Sequence, residues 1–485
     1  MKIDRIDFPL KDLFIRVFAD KVFLVGGTIR DYLLYGRIGV SRDIDLVVTD
    51  HSYKEIEKKL RPYGKTNTVG RSFAVVKFSK DGDNFDISVP RKDTRRDKES
   101  HSHRNFIIES GPHISLEDDL ARRDFTCNSI AMRLYDNQMV DPFDGVTAIE
   151  KRRITMTGPE TFFDDPLRIL RAARFASVHQ FAVDESIYGH SREVRLDGLS
   201  AERVLDELFR LLLESEKPSL GLHEYFKLSA LERLFPELTA LALTIQDAHF
   251  HPETDEFGHH TVWAHTLITV DIARDLCRRY ALSEEQTLAL LLAALLHDVG
   301  KAVTTRWEFK RGRMTVTSMY HDSRGVDIAG HILARLKIEG RHRFPLKKTV
   351  LSLVKYHHRI YDLYRHRVNV GFKAVSRLVR DLENQDFLLL LLDFADRRSR
   401  CPDPLAFTGL DEASQWLLEQ KEALDINQES IKPLVMGRDL VNLGISPGKD
   451  MGDYLQKLYE LQLDGAFQTT AEGLEVFKKL HSGQD

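Results

Sequence analysis

Cysteine is scarce in this chain: Cys127, Cys277 and Cys401 are the only three among 485 residues, and none is spaced for a metal knuckle or a pair. That excludes a disulfide-stapled fold and a cysteine-ligated zinc module. It suits a reducing compartment, so a cytoplasmic protein is expected. Long apolar runs are missing too. The longest, 288–296, has nine residues, whereas a membrane-crossing helix needs about 20. The run ends at His297-Asp298, so it reads as a buried helix that delivers a site. The opening stretch, MKIDRIDFPLKDLF, is too charged for a secretion signal, and no membrane association is expected. Nor is there an excess of positive charge: 70 Lys and Arg stand against 74 Asp and Glu, for a net charge of −4. A uniformly basic nucleic-acid-binding domain is excluded, but a local patch is not. Residues 91–104 form one, with six Lys/Arg, three acids and two His. It reads as a basic loop near a phosphate-rich substrate or as a solvated linker. No internal repeat or low-complexity tract occurs.

What is present is an ordinary apolar fraction, 42%, in a chain long enough for about two to four domains. Up to residue 150, short β-branched runs alternate with turns. Residues 22–25 read as a buried strand, 28–35 as a helix and 43–48 as a second strand; 73–78 and 85–89 read as a hairpin around a polar turn. Beyond about 160 the pattern turns helical, with helices at 167–175, 201–214, 267–280 and 284–297 and one ribbon near 306–317. The polar segments 249–259 and 397–404 read as boundaries. The expected division is a head at 1–150, a helical neck at 151–250, a metal-binding domain at 251–400 and a helical tail at 401–485.

Several head motifs carry chemistry. Gly26-Gly27 lies between a strand and a helix, where a bare backbone and free N–H groups suit a triphosphate; the alternative is a simple tight turn. Asp43 and Asp45, two apart on a strand, point to one face. Two acids there either share Mg²⁺ with substrate phosphates or form a solvated strand face. Asp86 is the candidate third carboxylate. Arg122 and Arg123 could neutralise a triphosphate, and Asp124 could accept from a ribose hydroxyl; a helix cap is the alternative for Asp124. Asp165 and Arg168 are neighbours on one helix face. Their donor and acceptor pattern matches the edges of C and A and opposes U and G. Pro166 makes a plain helix cap an equal reading of Asp165.

In order and spacing, GGTIRD (26–31), DID (43–45), RRDFTCN (122–128), DPFDG (141–145), DDPLRILRAARF (164–175) and ERVLDEL (202–208) resemble the class II tRNA nucleotidyltransferases, which include CCA-adding enzymes and bacterial poly(A) polymerases. The resemblance spans about residues 1–230. It implies an α+β fold: a DNA polymerase β-like nucleotidyltransferase head with a small mixed sheet, followed by a mostly α-helical neck, HD domain and tail. It implies Mg²⁺ on Asp43 and Asp45, beside which Asp86 stays the candidate third catalytic acid. Nucleotide contacts are implied for Gly26, Gly27, Arg30, Arg122, Arg123, Asp124, Asn128, Asp165, Arg168, Arg171 and Arg174. Asp164, Glu202 and Arg203 are implied supports of the base-templating helix. Two positions depart from the family: Asp164 stands where Glu is usual, and Asp144 replaces the first glycine of DPFGG.

In the helical half, His265, His297-Asp298 and Asp396 offer imidazole and carboxylate ligands from three helices, a mixed N/O set suited to Mn²⁺, Fe²⁺, Ni²⁺ or Mg²⁺. His321 and His357 could hold a phosphate or a second ion. The pattern over about 255–400 is similar to the HD superfamily of metal-dependent phosphohydrolases. The expected protein is therefore a tRNA nucleotidyltransferase that uses CTP and ATP to build or repair the 3′-CCA end, with a possible phosphohydrolase activity. A poly(A) polymerase, or an enzyme adding only C or only A, shares nearly all these residues. A phosphohydrolase with a nucleotide-binding head is the alternative of another class. The oligomeric state is left open.

Overall fold

The computed structural model describes residues 6–36, 44–69, 75–95, 106–310, 312–368, 372–423, 432–463 and 466–482. It comprises two compact units, Met1–Pro236 and Glu237–Asp485.

The first unit is built on a seven-stranded sheet. Its strands are β1 (Val22–Val25), β2 (Ile44–Val48), β3 (Lys65–Val69), β4 (Val75–Lys80), β5 (Asp83–Ser88), β6 (Ala131–Arg133) and β7 (Met139–Val140), in the order β3-β4-β5-β2-β1-β6-β7. Only β2 and β5 pair in parallel; the other neighbours are antiparallel. All four β1 residues are buried, as a continuous apolar run between two covered faces requires. In β2 only Asp45 is exposed among buried neighbours. The expected hairpin forms from β4 and β5, turning at Asp81-Gly82, both with positive φ as a two-residue loop demands; Phe73 lies outside the described residues. Phe14 wedges against Phe78 and Phe85, with ring centroids 5.9 and 4.8 Å away, and closes one side of the sheet.

Four helices of this unit matter for the site: α1 (Gly27–Tyr35), α2 (Leu116–Ala121), α3 (Leu167–His179) and α4 (Ala201–Glu214). Ser200 caps α4 by accepting from the Arg203 backbone N–H. Asp144, the departure from DPFGG, sits at φ 58°. That left-handed conformation explains a glycine there, and Asp is among the few other residues that adopt it readily.

The second unit is helical, as expected. Its core is α5 (Val262–Arg279), α6 (Glu284–Leu296), α7 (His321–Arg335), α8 (Leu346–Tyr356) and α9 (Asp386–Arg398), with a ribbon of β8 (Arg306–Lys310) and β9 (Arg313–Thr317). A capping box of Ser283 and Gln286 starts α6. This helix is apolar all round because α5, α8 and α9 surround it. The stretch Glu284–Thr304 is long and apolar enough to cross a membrane, but 83% of its apolar window is buried inside the unit. In the tail, Val435, Leu440, Met451, Leu458, Phe467 and Phe477 form a separate small core.

The two segments read as boundaries also carry contacts within the second unit. In 249–259, Glu253 accepts from both His251 and His265. In 397–404, Arg400 pairs with Asp396 and Ser399 meets His265. Both segments are polar because they partner buried charge in the second unit. The break between units falls earlier, at Pro236/Glu237.

Candidate functional site

In the first unit, β1, α1, α3 and α4 surround a cavity of about 490 Å³. Gly26 ends β1 at φ +64°, and a Cβ there would lie 2.6 Å from an Arg123 guanidinium nitrogen. The glycine therefore lets Arg123 cross the strand end, and the N-terminus of α1 follows it. Asp45 lies on the cavity wall, and its backbone N–H donates to Thr28 Oγ1 at 3.2 Å. Asp86 is its register partner across the parallel pair. Lys77 Nζ binds Asp86 at 3.0 Å. Asp43 lies outside the described residues.

Eight arginines and three aspartates line the cavity. Buried Asp119 holds both Arg122 and Arg123, at 2.8 and 3.1 Å. Arg30 donates to Asn128 Oδ1 at 2.7 Å, and Asn128 Nδ2 donates to Asp124 Oδ1 at 2.9 Å. Asn128 thus has its amide turned inward, orienting Arg30 and Asp124. The other Asp124 oxygen accepts from Arg171 Nε at 2.7 Å. Burial would raise the Asp124 carboxyl, but Arg171, Asn128 and Arg168 outweigh it and hold it far below the usual carboxylate range.

Both Asp165 oxygens are engaged. One oxygen caps α3 by accepting from the Leu167 N–H at 3.0 Å, and the other accepts from Arg203 at 2.6 Å. Arg203 is thus the brace on α3, while Glu202 is exposed in the first turn of α4. Asp164 ends the short helix before α3. Arg168 donates to the Arg122 carbonyl at 2.6 Å, joining α3 to the basic cluster. Arg174 is 1% exposed and bonds Glu207 at 2.6 Å and Glu214 at 3.3 Å, so it serves as a buried strut at the cavity wall. Arg30, Arg171 and Arg174 each lie within 5.3 Å of the Phe175 ring centroid. Asp119 carried no mark in the sequence, and Phe175 and Glu207, though inside the quoted motifs, were given no role: each sits in a helix where a core or surface role reads equally well.

In the second unit, His265, His297, Asp298 and Asp396 converge and are at most 1% exposed. His265 Nε2 lies 2.9 Å from Asp396 Oδ1 and 3.3 Å from His297 Nε2; His297 Nε2 lies 3.2 Å from Asp298 Oδ2. Asp298 faces a second group through Oδ1, 3.4 Å from His321 Nε2 and 3.8 Å from His357 Nε2. His358, which the sequence reading passed over, reaches Asp396 Oδ2 at 3.4 Å. Buried Asp298 Oδ1, Asp396 Oδ2 and His357 Nε2 have no hydrogen-bond partner among the described residues. Such buried donors and acceptors are costly unless a cation collects them, and the N/O set fits a divalent metal. Burial opposes the Asp298 charge, but Lys301 and His297 hold that carboxyl well below its ordinary range. Burial pushes His357 down to about 3, leaving a neutral imidazole suited to a metal. Glu253 fixes the ring of His265, accepting at 2.8 Å from its Nδ1 side.

An arginine-lined cavity with a strand carboxylate at its wall, and a separate histidine-carboxylate centre, define the class: a nucleotidyltransferase head joined to an HD domain. Family comparisons agree. Residues 22–155 match the poly A polymerase head domain, 185–241 the probable RNA- and SrmB-binding site of polymerase A, and 262–401 the HD domain. The "multifunctional CCA protein" of Stenotrophomonas maltophilia strain K279a is 36% identical over 330 residues, covering 67% of this chain and 73% of that protein. The protein of the same description from Xanthomonas campestris pv. campestris strain B100 is 31% identical, covering 78% and 85%. The chain belongs to the family of multifunctional CCA proteins. The fold is shared with a CCA-adding enzyme solved in complex with CTP (TM-score 0.61, 20% identity, 99% and 97% of the two chains). It is also shared with the Thermotoga maritima CCA-adding enzyme complexed with tRNA (TM-score 0.57, 20% identity, 98% and 96%).

Proposed function

We propose that this chain is a tRNA nucleotidyltransferase that adds or repairs the 3′-terminal CCA of tRNA from CTP and ATP, releasing pyrophosphate. The observation that carries the reading is the cavity in which eight arginines meet Asp45 and Asp165. The tRNA 3′-hydroxyl oxygen bonds to the α-phosphorus, and the bond to pyrophosphate breaks. Asp43, Asp45 and Asp86 would hold Mg²⁺, an all-oxygen set suited to it, which supplies hydroxyl activation and charge neutralisation. Arg122, Arg123 and the N-terminus of α1 neutralise the triphosphate. Arg203 and the Leu167 N–H fix the Asp165 carboxylate, and each oxygen keeps a lone pair for the exocyclic amine of C or A. Arg168 donates to the ring acceptor beside that amine, whereas U and G present a carbonyl to Asp165. RNA contacts are assigned to 185–241, held through phosphates. The three free cysteines suit a reducing cytoplasm.

The test is nucleotide incorporation on tRNA transcripts lacking A, CA or CCA, with each NTP supplied separately. Completed CCA ends are expected. Long A-tails on unrelated RNA would mark a poly(A) polymerase, and products that stop after C a CC-adding enzyme.

The second unit supports a further activity, a metal-dependent phosphohydrolase, because His265, His297 and Asp298 bring their ligand atoms within 4.8 Å of one another. His265, His297, Asp298 and Asp396 would hold a transition metal or Mg²⁺, which supplies an activated water. The water oxygen bonds to phosphorus, the ester P–O bond breaks, and the alcohol leaves with a proton. Metal-stimulated phosphate release that His297→Ala removes is the expected result.

A further inference from the structure

We propose that the β8–β9 ribbon is a stacking platform that receives a single-stranded nucleic-acid end at the HD centre; this rests on the phosphohydrolase reading above. The register pairs Trp307 with Val316 and Phe309 with Met314, so strand alternation places all four on one face. Trp307, Phe309 and Met314 are 60%, 72% and 55% exposed. The opposite face is occupied: Thr315 donates to Asp247, and Arg313 lies 3.6 Å from the same carboxylate. Two rings and a methionine exposed side by side on one strand face form a contiguous apolar patch, which marks a recognition surface as scattered single side chains do not.

Both ends of the ribbon are anchored at the HD centre. Before β8, Lys301 pairs with Asp298 at 2.6 Å. After β9, the Ser318 carbonyl meets His321 Nδ1 at 2.7 Å, and the Ser318 hydroxyl meets that of Thr305 at 2.7 Å across the base. Tyr320, directly before His321, is 73% exposed and held at φ 61°. A tyrosine in the left-handed region is strained, and such strain persists where the surroundings enforce it. The aromatic strip therefore begins beside a residue facing Asp298 and runs outward.

Charge selects the occupant. Residues 306–317 carry Arg306, Lys310, Arg311 and Arg313 against Glu308, a local excess of +3 in a chain of net −4; Glu308 pairs with both Arg306 and Lys310 on the strand face opposite the rings, so the ribbon stays net positive behind them. Bases that stack on aromatic rings while their phosphates meet cations are the signature of single-stranded nucleic-acid binding. A second copy would bring two positive ribbons together in a symmetric contact, which like charge opposes.

The test compares two substrates on the full chain with Mn²⁺: a short oligoribonucleotide ending in a 3′-phosphate, and glycerol 2-phosphate, which has no base. The double variant Trp307→Ala/Phe309→Ala should raise KM for the oligonucleotide at least about tenfold. Its kcat, and its hydrolysis of glycerol 2-phosphate, should match the wild type, which also reports an intact fold. Trp307→Tyr/Phe309→Tyr should restore the wild-type KM. An unchanged KM in the alanine variant overturns the proposal. So does an unchanged KM accompanied by a gel-filtration shift to a smaller species, which would assign the face to a second copy. No phosphate release from either substrate by the wild type would overturn the hydrolase reading and the platform together.

Discussion

In the head, cations outnumber anions around an open cavity, and the acids there are already engaged: Asp119 with two arginines, Asp124 with Arg171, Asp165 with Arg203. In the HD centre the acids and imidazoles are fully enclosed, and several of their atoms meet no hydrogen-bond donor among the described residues. The first arrangement has these acids paired and cations in excess, so it offers a positive field to an anion that enters and leaves, as a nucleoside triphosphate must. The second is incomplete without a cation, because enclosed charge needs a partner. A site for a passing anion is preorganised with its acids paired and its cations in excess; a site for a resident cation keeps buried acceptors unpaired.

The largest expected effect breaks the pair apart. Asp45→Ala should lower CCA addition about 10³-fold while metal-dependent phosphate release continues. His297→Ala should do the reverse, abolishing phosphate release and sparing addition. Parallel assays of both activities on both variants check this. Equal loss of both activities in either variant would show that the two sites do not act separately.

Next in size is a contrast within the head. Arg174 and Arg168 both line the cavity, but only Arg174 is enclosed between Glu207 and Glu214. Arg174→Ala removes the nearer partner of buried Glu207, leaving Arg171 at 3.6 Å, and should destabilise the first unit by up to about 3 kcal/mol. Arg168→Ala should leave the melting transition in place and raise KM for CTP and ATP. Calorimetry with steady-state kinetics distinguishes a strut from a substrate contact.

Glu253 sharpens the other side. Its carboxylate holds the Nδ1 side of His265, so that Nε2 faces Asp396. Outer partners of metal-bound histidines set ring orientation and basicity, and removing one typically costs about 10–100-fold in metal affinity. Glu253→Gln should weaken metal binding by that factor in a calorimetric titration while leaving CCA addition unchanged. Undiminished affinity would reduce Glu253 to packing.

How much of this was legible differs between the sites for the same physical reason. His265, His297, Asp298 and Asp396 stood out because His and Asp are conspicuous at the ends of apolar helices, and the fold brings them within hydrogen-bonding range. Glu253 and His251 did not, because a polar segment with Pro and Gly reads as a linker until the buried histidine it serves is known. In the head, the glycine pair and the strand carboxylate were visible as local patterns. Asp119 and Glu207 were not, since an acid on an amphipathic helix shows its burial only once the arginines of other elements are in place. Asp165 was ambiguous in the sequence because cap and base reader are compatible uses of one carboxylate; the structure gives the contact to the Leu167 N–H.

The smallest effect tests that compatibility. The Arg203–Asp165 pair is partly exposed, 37% and 28% by side chain, so its loss should alter stability by no more than about 1 kcal/mol. Its value lies in aim. Without Arg203, the Leu167 N–H still holds one oxygen of Asp165, while the other can rotate away from the position where an exocyclic amine is recognised. A hydrogen bond to a charged group is worth about 1.5–3 kcal/mol, so Arg203→Ala should narrow the preference for CTP over UTP by at least about tenfold at unchanged melting temperature. The ratio of kcat/KM values for the two nucleotides on a CC-lacking tRNA measures it. An unchanged ratio would mean that Asp165 is only the cap of α3 and that base choice is made elsewhere.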